Sequence, residues 1–236
     1  MLTHYTRTRS KQERLWDACS YGRETTVRTL IDAGANLNWK SHVVHTHIFS
    51  QTILTANFLP LSQYECYPIH IASQGKPAIV RMLLEAGCQV DALDAKGNTA
   101  LHHAAMSGRV VNVQMLLNAG AAIDACNENN WTPLLNAVYW NHAKVASVLI
   151  ARGADPLIKN KDGRNALHEL CRSKSRDSSG LDEILVSILD SLSMREDPKQ
   201  SSTSNQMIDC RAECRNSYDF EFTSRLIDRV LGGRRN

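Results

Sequence analysis

The strongest constraint in this sequence is a period of 33 residues that is marked by glycines. Gly87, Gly120 and Gly153 each close a leucine-rich segment, and neighbouring members of this set are 33 residues apart. Each unit also opens with a similar short signature, at residues 67–72, 99–104, 132–137 and 165–170. Two features that keep one register predict a repeat array, in which each unit buries its apolar face against its neighbours.

The apolar residues within a unit indicate two helices. Val113, Leu116 and Leu117 follow the i, i+3, i+4 spacing of a buried helix face. Gly120 follows the last of them, at the position where a left-handed helix end favours glycine. The same spacing recurs one unit later, before Gly153. Each unit is therefore predicted to contain a short inner helix at the signature, a turn, and an outer helix that ends at a glycine.

The signatures read Tyr-Pro-Ile-His-Ile-Ala, Thr-Ala-Leu-His-His-Ala and Thr-Pro-Leu-Leu-Asn-Ala. Together with the period, they resemble the Thr-Pro-Leu-His-x-Ala signature of the ankyrin repeat. The resemblance implies an all-α fold, an ankyrin-repeat solenoid of helix-turn-helix units joined by short β-turn fingers. It also implies that the signature threonine caps the inner helix, a role that Asn165 can take over and Tyr67 cannot. By the same resemblance, the signature histidines are structural and bond to neighbouring loops: His70, His102 and His168.

The repeat pattern predicts the organisation of the chain. Residues 1–13 are expected to be disordered, and residues 14–192 form about five ankyrin units, the first of them a polar cap. Residues 193–236 are rich in serine, asparagine and charge, and are predicted to form a largely disordered tail. Within the tail, residues 218–231 have the spacing of one short amphipathic helix.

An apolar insertion at residues 41–61 interrupts the second unit where a finger is expected. Two interpretations remain open. The insertion could be a protruding finger or short helix that lies over the array, since insertions in repeats map to one face. Alternatively, it is a local misfit, such as the product of an alternative exon.

Charge and cysteine content limit the partners and the compartment. The formal net charge of +3 comes from basic chain ends around a mildly acidic middle, which does not favour nucleic acid. No run of 18 apolar residues is present, and the start lacks the apolar core of a secretory signal. Seven scattered cysteines are typical of a reducing compartment. We therefore expect an intracellular protein, cytoplasmic or nuclear, that is monomeric and does not bind membranes.

The sequence offers no convincing catalytic or metal-binding motif. It lacks a phosphate-binding glycine loop, a nucleophile elbow and an H-E-x-x-H helix. His42, His45 and His47 lie together in the insertion, but no fourth ligand stands at a fixed spacing from them. His168 and Cys171 are better explained as packing residues. We predict no catalytic residue, no metal site and no cofactor.

The resemblance places a binding surface on the concave side of the array, which finger tips and inner helices form. By register, the finger tips include Asp94, Lys96 and Asn98 in one unit, and the variable position of the signature lies on the inner helix. Aromatic and arginine side chains are enriched at the energetic centres of interfaces. The residues predicted to bind a partner are therefore Trp131, Tyr139, Trp140, Met106, His103, Asn136, Asn130 and Arg164. The alternative is that Tyr139 or Trp140 packs against the next inner helix.

Three hypotheses about function follow from these observations. The first is a non-catalytic interaction module or adaptor that binds a protein partner, of unknown identity, through the concave ankyrin face. The second is a truncated or alternative product of a longer ankyrin scaffold, or a substrate receptor within a larger complex. The third is nucleic-acid binding through the basic ends, which would weaken steeply with salt.

Overall fold

A computed structural model describes residues 10–41, 65–172, 183, 184 and 186–188. Most of the predicted insertion and the whole predicted tail, with its helix at 218–231, lie outside the described residues. Over the described residues the regular secondary structure is helical, with an isolated β-bridge and no strand. This confirms the all-α prediction.

The described helices come in inner and outer pairs, as the period predicts. Their bounds are α1 Lys11–Ser20, α2 Glu24–Asp32, α3 Pro68–Gln74, α4 Pro77–Glu85, α5 Ala100–Met106, α6 Val110–Asn118, α7 Pro133–Tyr139, α8 Ala143–Ala151 and α9 Ala166–Arg172. The described positions between 183 and 188 are also helical, and Ile184 and Ile188 are fully buried there. Among the described helices, none is long and apolar enough to cross a membrane.

The chain divides into two compact units. Unit 1 comprises residues 1–104 and 111–121, and unit 2 comprises residues 105–110 and 122–236. In unit 1, α1 packs on α2 and α3, while α4 packs on α2 and α3. In unit 2, the inner helix α7 packs on its outer partner α8 and on the next inner helix, α9.

The outer helices end as the glycine period predicts. Gly87, Gly120 and Gly153 all have positive φ, at 79°, 86° and 96°. An L-residue with a side chain is disfavoured in this left-handed conformation, whereas glycine adopts it readily. The regular spacing of these glycines is therefore a consequence of how the outer helices α4, α6 and α8 terminate.

The first repeat begins earlier than the sequence predicted. Helix α1 starts at Lys11, and the Ser10 hydroxyl caps it by accepting the Glu13 N–H while the Glu13 carboxylate accepts the Ser10 N–H. This capping box lies within the segment that the sequence assigned to disorder. Trp16 is buried and donates its indole N–H to the Cys66 sulfur at 3.3 Å, which ties α1 to the segment just before α3.

The residues at the two ends of the insertion are paired with each other, and we call this pairing the closed neck. Ser41 and Cys66 form an antiparallel β-bridge, in which the Ser41 N–H donates to the Cys66 carbonyl at 3.0 Å. The neighbouring Lys40 ammonium lies 2.9 Å from the Glu65 carboxylate. The repeats on either side are thus joined without the intervening residues, so the insertion is an addition at one point of unit 1.

Replacing residues 42–65 by Asn-Gly should leave the fold intact. An Asn-Gly pair forms the tight turn that links two antiparallel residues, as Ser41 and Cys66 are. Shortening the loop lowers the entropy cost of closing it by up to about 2 kcal/mol, so the unfolding free energy should stay equal or rise. Urea unfolding followed by circular dichroism measures this. A non-cooperative transition in the shortened chain would contradict the closed neck.

Candidate protein-binding site

Each described finger is built on one side-chain oxygen that accepts two backbone N–H groups. Asp94, Asn127 and Asn160 recur at the 33-residue period, and each is followed by a tight turn. Asn127 Oδ1 accepts the N–H groups of residues 129 and 131, both at 2.9 Å. Asn160 Oδ1 does the same for residues 162 and 164, and Asp94 Oδ1 for residues 96 and 98. Such side-chain bonds fix the turn without help from a sheet.

The tip of each finger contains a residue in the left-handed conformation. Gly97, Asn130 and Gly163 occupy equivalent positions, with φ of 74°, 55° and 77°. Asparagine tolerates this conformation better than most residues with a side chain, although glycine adopts it at lower cost. Asn130, which the sequence predicted to contact a partner, is exposed at this tip.

The variable position of the signature lies beneath the finger, in the interior. His103, Asn136 and Glu169 occupy this position, and their exposed fractions are only 2%, 6% and 1%. The prediction that His103 and Asn136 face a partner is therefore wrong for the free protein, in which both are buried. In two of the three, the reason is a hydrogen bond to the finger base nine residues earlier: His103 Nε2 lies 2.9 Å from Asp94, and Glu169 Oε1 accepts the amide of Asn160 at 3.2 Å.

The finger base of the third repeat is a fully satisfied buried network. His103 Nδ1 accepts the side-chain N–H of Gln74 at 3.0 Å, so its Nε2 carries the proton that Asp94 Oδ2 accepts. Burial acts to raise the pKa of Asp94, but its hydrogen bond and attraction to His103, with the Asn98 donors, outweigh burial and hold the pKa well below its usual range. Asp94 and Asn98, expected at a finger tip, are both buried.

The signature histidines brace the starts of the inner helices. In all three, Nδ1 accepts the backbone N–H of the residue that precedes the helix, at 3.1 to 3.3 Å: His70 from Tyr67, His102 from Thr99 and His168 from Asn165.

The opposite ring nitrogen of His70 reaches the next loop. Its Nε2 carries the proton and donates to the Ala92 carbonyl at 2.8 Å. Burial, reinforced by the nearby His103, lowers the pKa of His70 to about 3, so the ring stays neutral. The predicted structural role is confirmed for His70, including its bond to the neighbouring loop.

The caps of the inner helices follow the sequence prediction. Thr132 Oγ1 accepts the Leu135 N–H at 3.2 Å. Asn165 Oδ1 accepts the N–H groups of Leu167 and His168, which confirms that this asparagine replaces the threonine. Tyr67 provides no side-chain cap.

Three aromatic rings of unit 2 form one cluster: Trp131, Tyr139 and Trp140. The rings of Trp131 and Tyr139 have centroids 5.3 Å apart and are nearly perpendicular, and Tyr139 stands in the same relation to Trp140 at 5.4 Å. Tyr139 is 51% exposed, whereas the two tryptophans are half-buried. Edge-to-face packing of this kind is favourable beyond the area that it buries. We call these three residues the aromatic cluster.

Arg164 is held in place by two carboxylates. Its Nε donates to Glu169 Oε1 at 2.6 Å, and its Nη2 pairs with Asp162. Arg164 stands 33 residues after Trp131, at the matching position of the next finger. The two fingers are joined directly, since the Lys161 N–H donates to the Asn129 carbonyl at 3.0 Å.

Met106 lies at the end of α5, half-buried, in the part of the chain that belongs to unit 2. Its carbonyl accepts a hydrogen bond from His142 Nε2 at 3.0 Å. The imidazole lies close over Gly108, where an added Cβ would approach the ring to 2.7 Å. This contact fixes the turn after α5.

Sequence reasoning did not select Glu169 and Asp162, although they orient the predicted Arg164. The repeat register gave a signal for Glu169, because it places this acid at the same position as His103 and Asn136. The register does not predict that these side chains turn toward the finger, because their direction depends on the conformation of the finger.

Comparison with known families supports the resemblance on independent grounds. A family model described as "Ankyrin repeats (3 copies)" matches residues 69–160 and, in a second overlapping match, residues 112–181. Together they contain α4 to α9, all but the first residue of α3, and all the fingers described above. The chain is therefore an ankyrin repeat protein.

Asn130→Gly should stabilise unit 2, and Asn130→Ala should destabilise it. Glycine adopts the observed positive φ without strain, while alanine there costs about 1 kcal/mol or more. Urea unfolding of the two variants beside the wild type measures the difference. Equal stability of the alanine and glycine variants would contradict the left-handed finger tip.

Lowering the pH should destabilise the fold through His70. The histidine binds a proton in the unfolded chain at its ordinary pKa of 6.5, but in the folded chain only at about 3. Its contribution is therefore complete above pH 6.5 and is lost as the pH falls, by about 2 kcal/mol between about pH 7 and pH 5. His70→Gln removes the titrating group, so its unfolding free energy should fall less over this interval. An unchanged pH slope in the variant would contradict a neutral buried imidazole.

Proposed function

We propose that this chain is a non-catalytic protein-interaction module, and that the aromatic cluster is the centre of its binding surface. Ankyrin repeats generally serve as protein-protein interaction modules, which supports the class. The observation that carries the assignment to this surface is the exposure of Tyr139 between two tryptophans on a fixed finger and helix.

A rigid aromatic surface suits protein recognition. Tyrosine and tryptophan bury large areas at small cost in conformational entropy, and they are enriched where interface energy concentrates. Here Tyr139 is already oriented by its two ring contacts, and Trp131 has a ring contact with Tyr139 and a backbone N–H that is held by Asn127. A partner would therefore meet side chains that need little further ordering.

The buried acid–imidazole pair of unit 1 supports a structural role rather than a catalytic one. Asp94 and His103 resemble part of a proton-transfer arrangement, but both are buried. Gln74 donates to one ring nitrogen of His103, and Asp94 accepts the proton of the other. The Asp94 carboxylate also accepts hydrogen bonds from backbone N–H groups and from the Asn98 amide. A general base needs a free site within reach of a substrate proton, which this pair does not offer.

The buried thiols support the proposal of a reducing compartment. Burial raises the pKa of Cys19 and of Cys66 to about 12, so neither forms a reactive thiolate at neutral pH. In the described part of the chain, Cys19, Cys66, Cys88 and Cys126 are free thiols. We place the adaptor in the cell interior, as a monomer, and we do not assign it to the cytoplasm or the nucleus.

Tyr139→Ala should abolish partner capture while leaving the fold intact. The tyrosine is about half exposed, so its loss should cost only about 1 to 3 kcal/mol of stability, from its two edge-to-face ring contacts. Tagged wild type and variant would be used to capture proteins from cell extract, with quantitative mass spectrometry of what each retains. Proteins that lose at least tenfold abundance with the variant are the expected partners.

The chain supplies a matched control in Tyr21. It is 52% exposed against 51% for Tyr139, but lies in unit 1. Tyr21→Ala should capture the same proteins as the wild type. If the two alanine variants behave alike, or if every captured protein persists with Tyr139→Ala, the aromatic cluster is not the binding centre.

A further inference from the structure

We propose that the aromatic cluster receives a basic side chain, lysine or arginine, of the protein partner. This inference rests on the proposed function and adds to it the chemistry of the group at the centre of the interface. Three observations within unit 2 carry it: the arrangement of the rings, an unsatisfied buried carboxylate oxygen, and the pairing of Arg164.

The first observation is the arrangement of the rings. Tyr139 is nearly perpendicular to both Trp131 and Trp140, so ring faces and ring edges are presented together around its exposed side. The face of an aromatic ring is negative, and a cation over it is attracted, most strongly by tryptophan. The aliphatic stem of lysine or arginine would also cover ring surface that is now exposed.

The second observation is Glu169. Its Oε1 accepts hydrogen bonds from Asn160 and Arg164, but its Oε2 is buried and has no hydrogen-bond partner. Arg164 pairs with one oxygen of this buried carboxylate, and the other oxygen is left without a donor, so the site still favours a further positive group. The interior screens this attraction less than water does.

The third observation is the charge around Arg164. Asp162 and Glu169 both pair with it, so its own charge is more than compensated. An acidic partner group would compete with two carboxylates that are already in place. A basic group meets the opposite situation, because the carboxylates of these two fingers and their base (Glu128, Asp162 and Glu169) exceed the cations (Lys161 and Arg164) by one charge.

The repeat geometry brings these observations to one place. The inner helices α7 and α9 pack on each other, and packed helices lie about 8 to 10 Å apart. The bond between Lys161 and Asn129 joins the two fingers. Trp131 and Arg164 stand at matching positions of these fingers, so the proposed cation would lie next to the finger that holds Arg164 and Asp162.

Selection from a random 12-residue peptide phage library tests the proposal without a known partner. The full-length chain is the target, and selected peptides are sorted by whether Trp131→Ala abolishes their binding. Peptides that depend on Trp131 should be enriched at least threefold in lysine and arginine over the library. Changing the enriched basic residue of such a peptide to alanine should weaken its binding at least tenfold, measured by fluorescence anisotropy.

Variants that remove a carboxylate charge from the protein test whether peptide binding depends on electrostatic attraction or only on the shape of the surface. Glu169→Gln should weaken the selected basic peptides about fivefold, and Asp162→Asn, at an exposed position, about twofold. Glu183→Gln, which removes an exposed carboxylate of unit 2 that is absent from both fingers, should leave binding unchanged. Melting temperatures identify any variant that fails to fold. If Glu169→Gln does fail, the Asp162→Asn measurement decides.

The outcomes distinguish this inference from the proposed function. If no selected peptide depends on Trp131, both fail. If peptides depend on Trp131 but carry acidic or only apolar residues, the basic group is wrong while the binding surface stands. Unchanged affinity in both Glu169→Gln and Asp162→Asn would also overturn the inference alone.

Discussion

The structure depends on one recurring hydrogen-bond arrangement, in which a side chain at the base of each finger holds the turn and the inner helix together. Asp94, Asn127 and Asn160 each accept two backbone N–H groups of the turn. In the first and last of these fingers, the same residue also bonds to the inner helix nine residues later. Because no sheet supports the described fingers, this arrangement is what gives them a fixed conformation.

A fixed finger determines what the surface can do. The polar residues beneath it are used internally, so the side chains left for a partner are those on its outer side and at the end of the inner helix. In unit 2 these are mainly aromatic, and Tyr139 is the most exposed of the three rings. Asn127 also fixes the backbone at Trp131, and Glu169 orients the side chain of Arg164. Within one repeat, the buried polar residues therefore stabilise the fold, and the neighbouring exposed residues are left to contact a partner.

The sequence predicted the parts of the fold that local chemistry dictates. Gly120 and Gly153 were recognisable because a left-handed helix end restricts the residue there, and Asn165 because a cap needs a side-chain acceptor. The direction of His103 was not predictable in this way. It depends on a hydrogen bond to Asp94 whose geometry exists only once the finger has formed. The early start of α1 was missed for a related reason, since Ser10 and Glu13 cap each other in a polar segment.

The central claim is that the fingers and inner helix around the aromatic cluster form the binding surface. Amide hydrogen exchange of the full chain, alone and with a captured partner, tests it most directly. The account predicts slower exchange on binding in residues 127–140 and 160–169, with little change in α1 and α2 of unit 1. Protection confined to unit 1 or to the outer helix α8, with none in those two stretches, would contradict it.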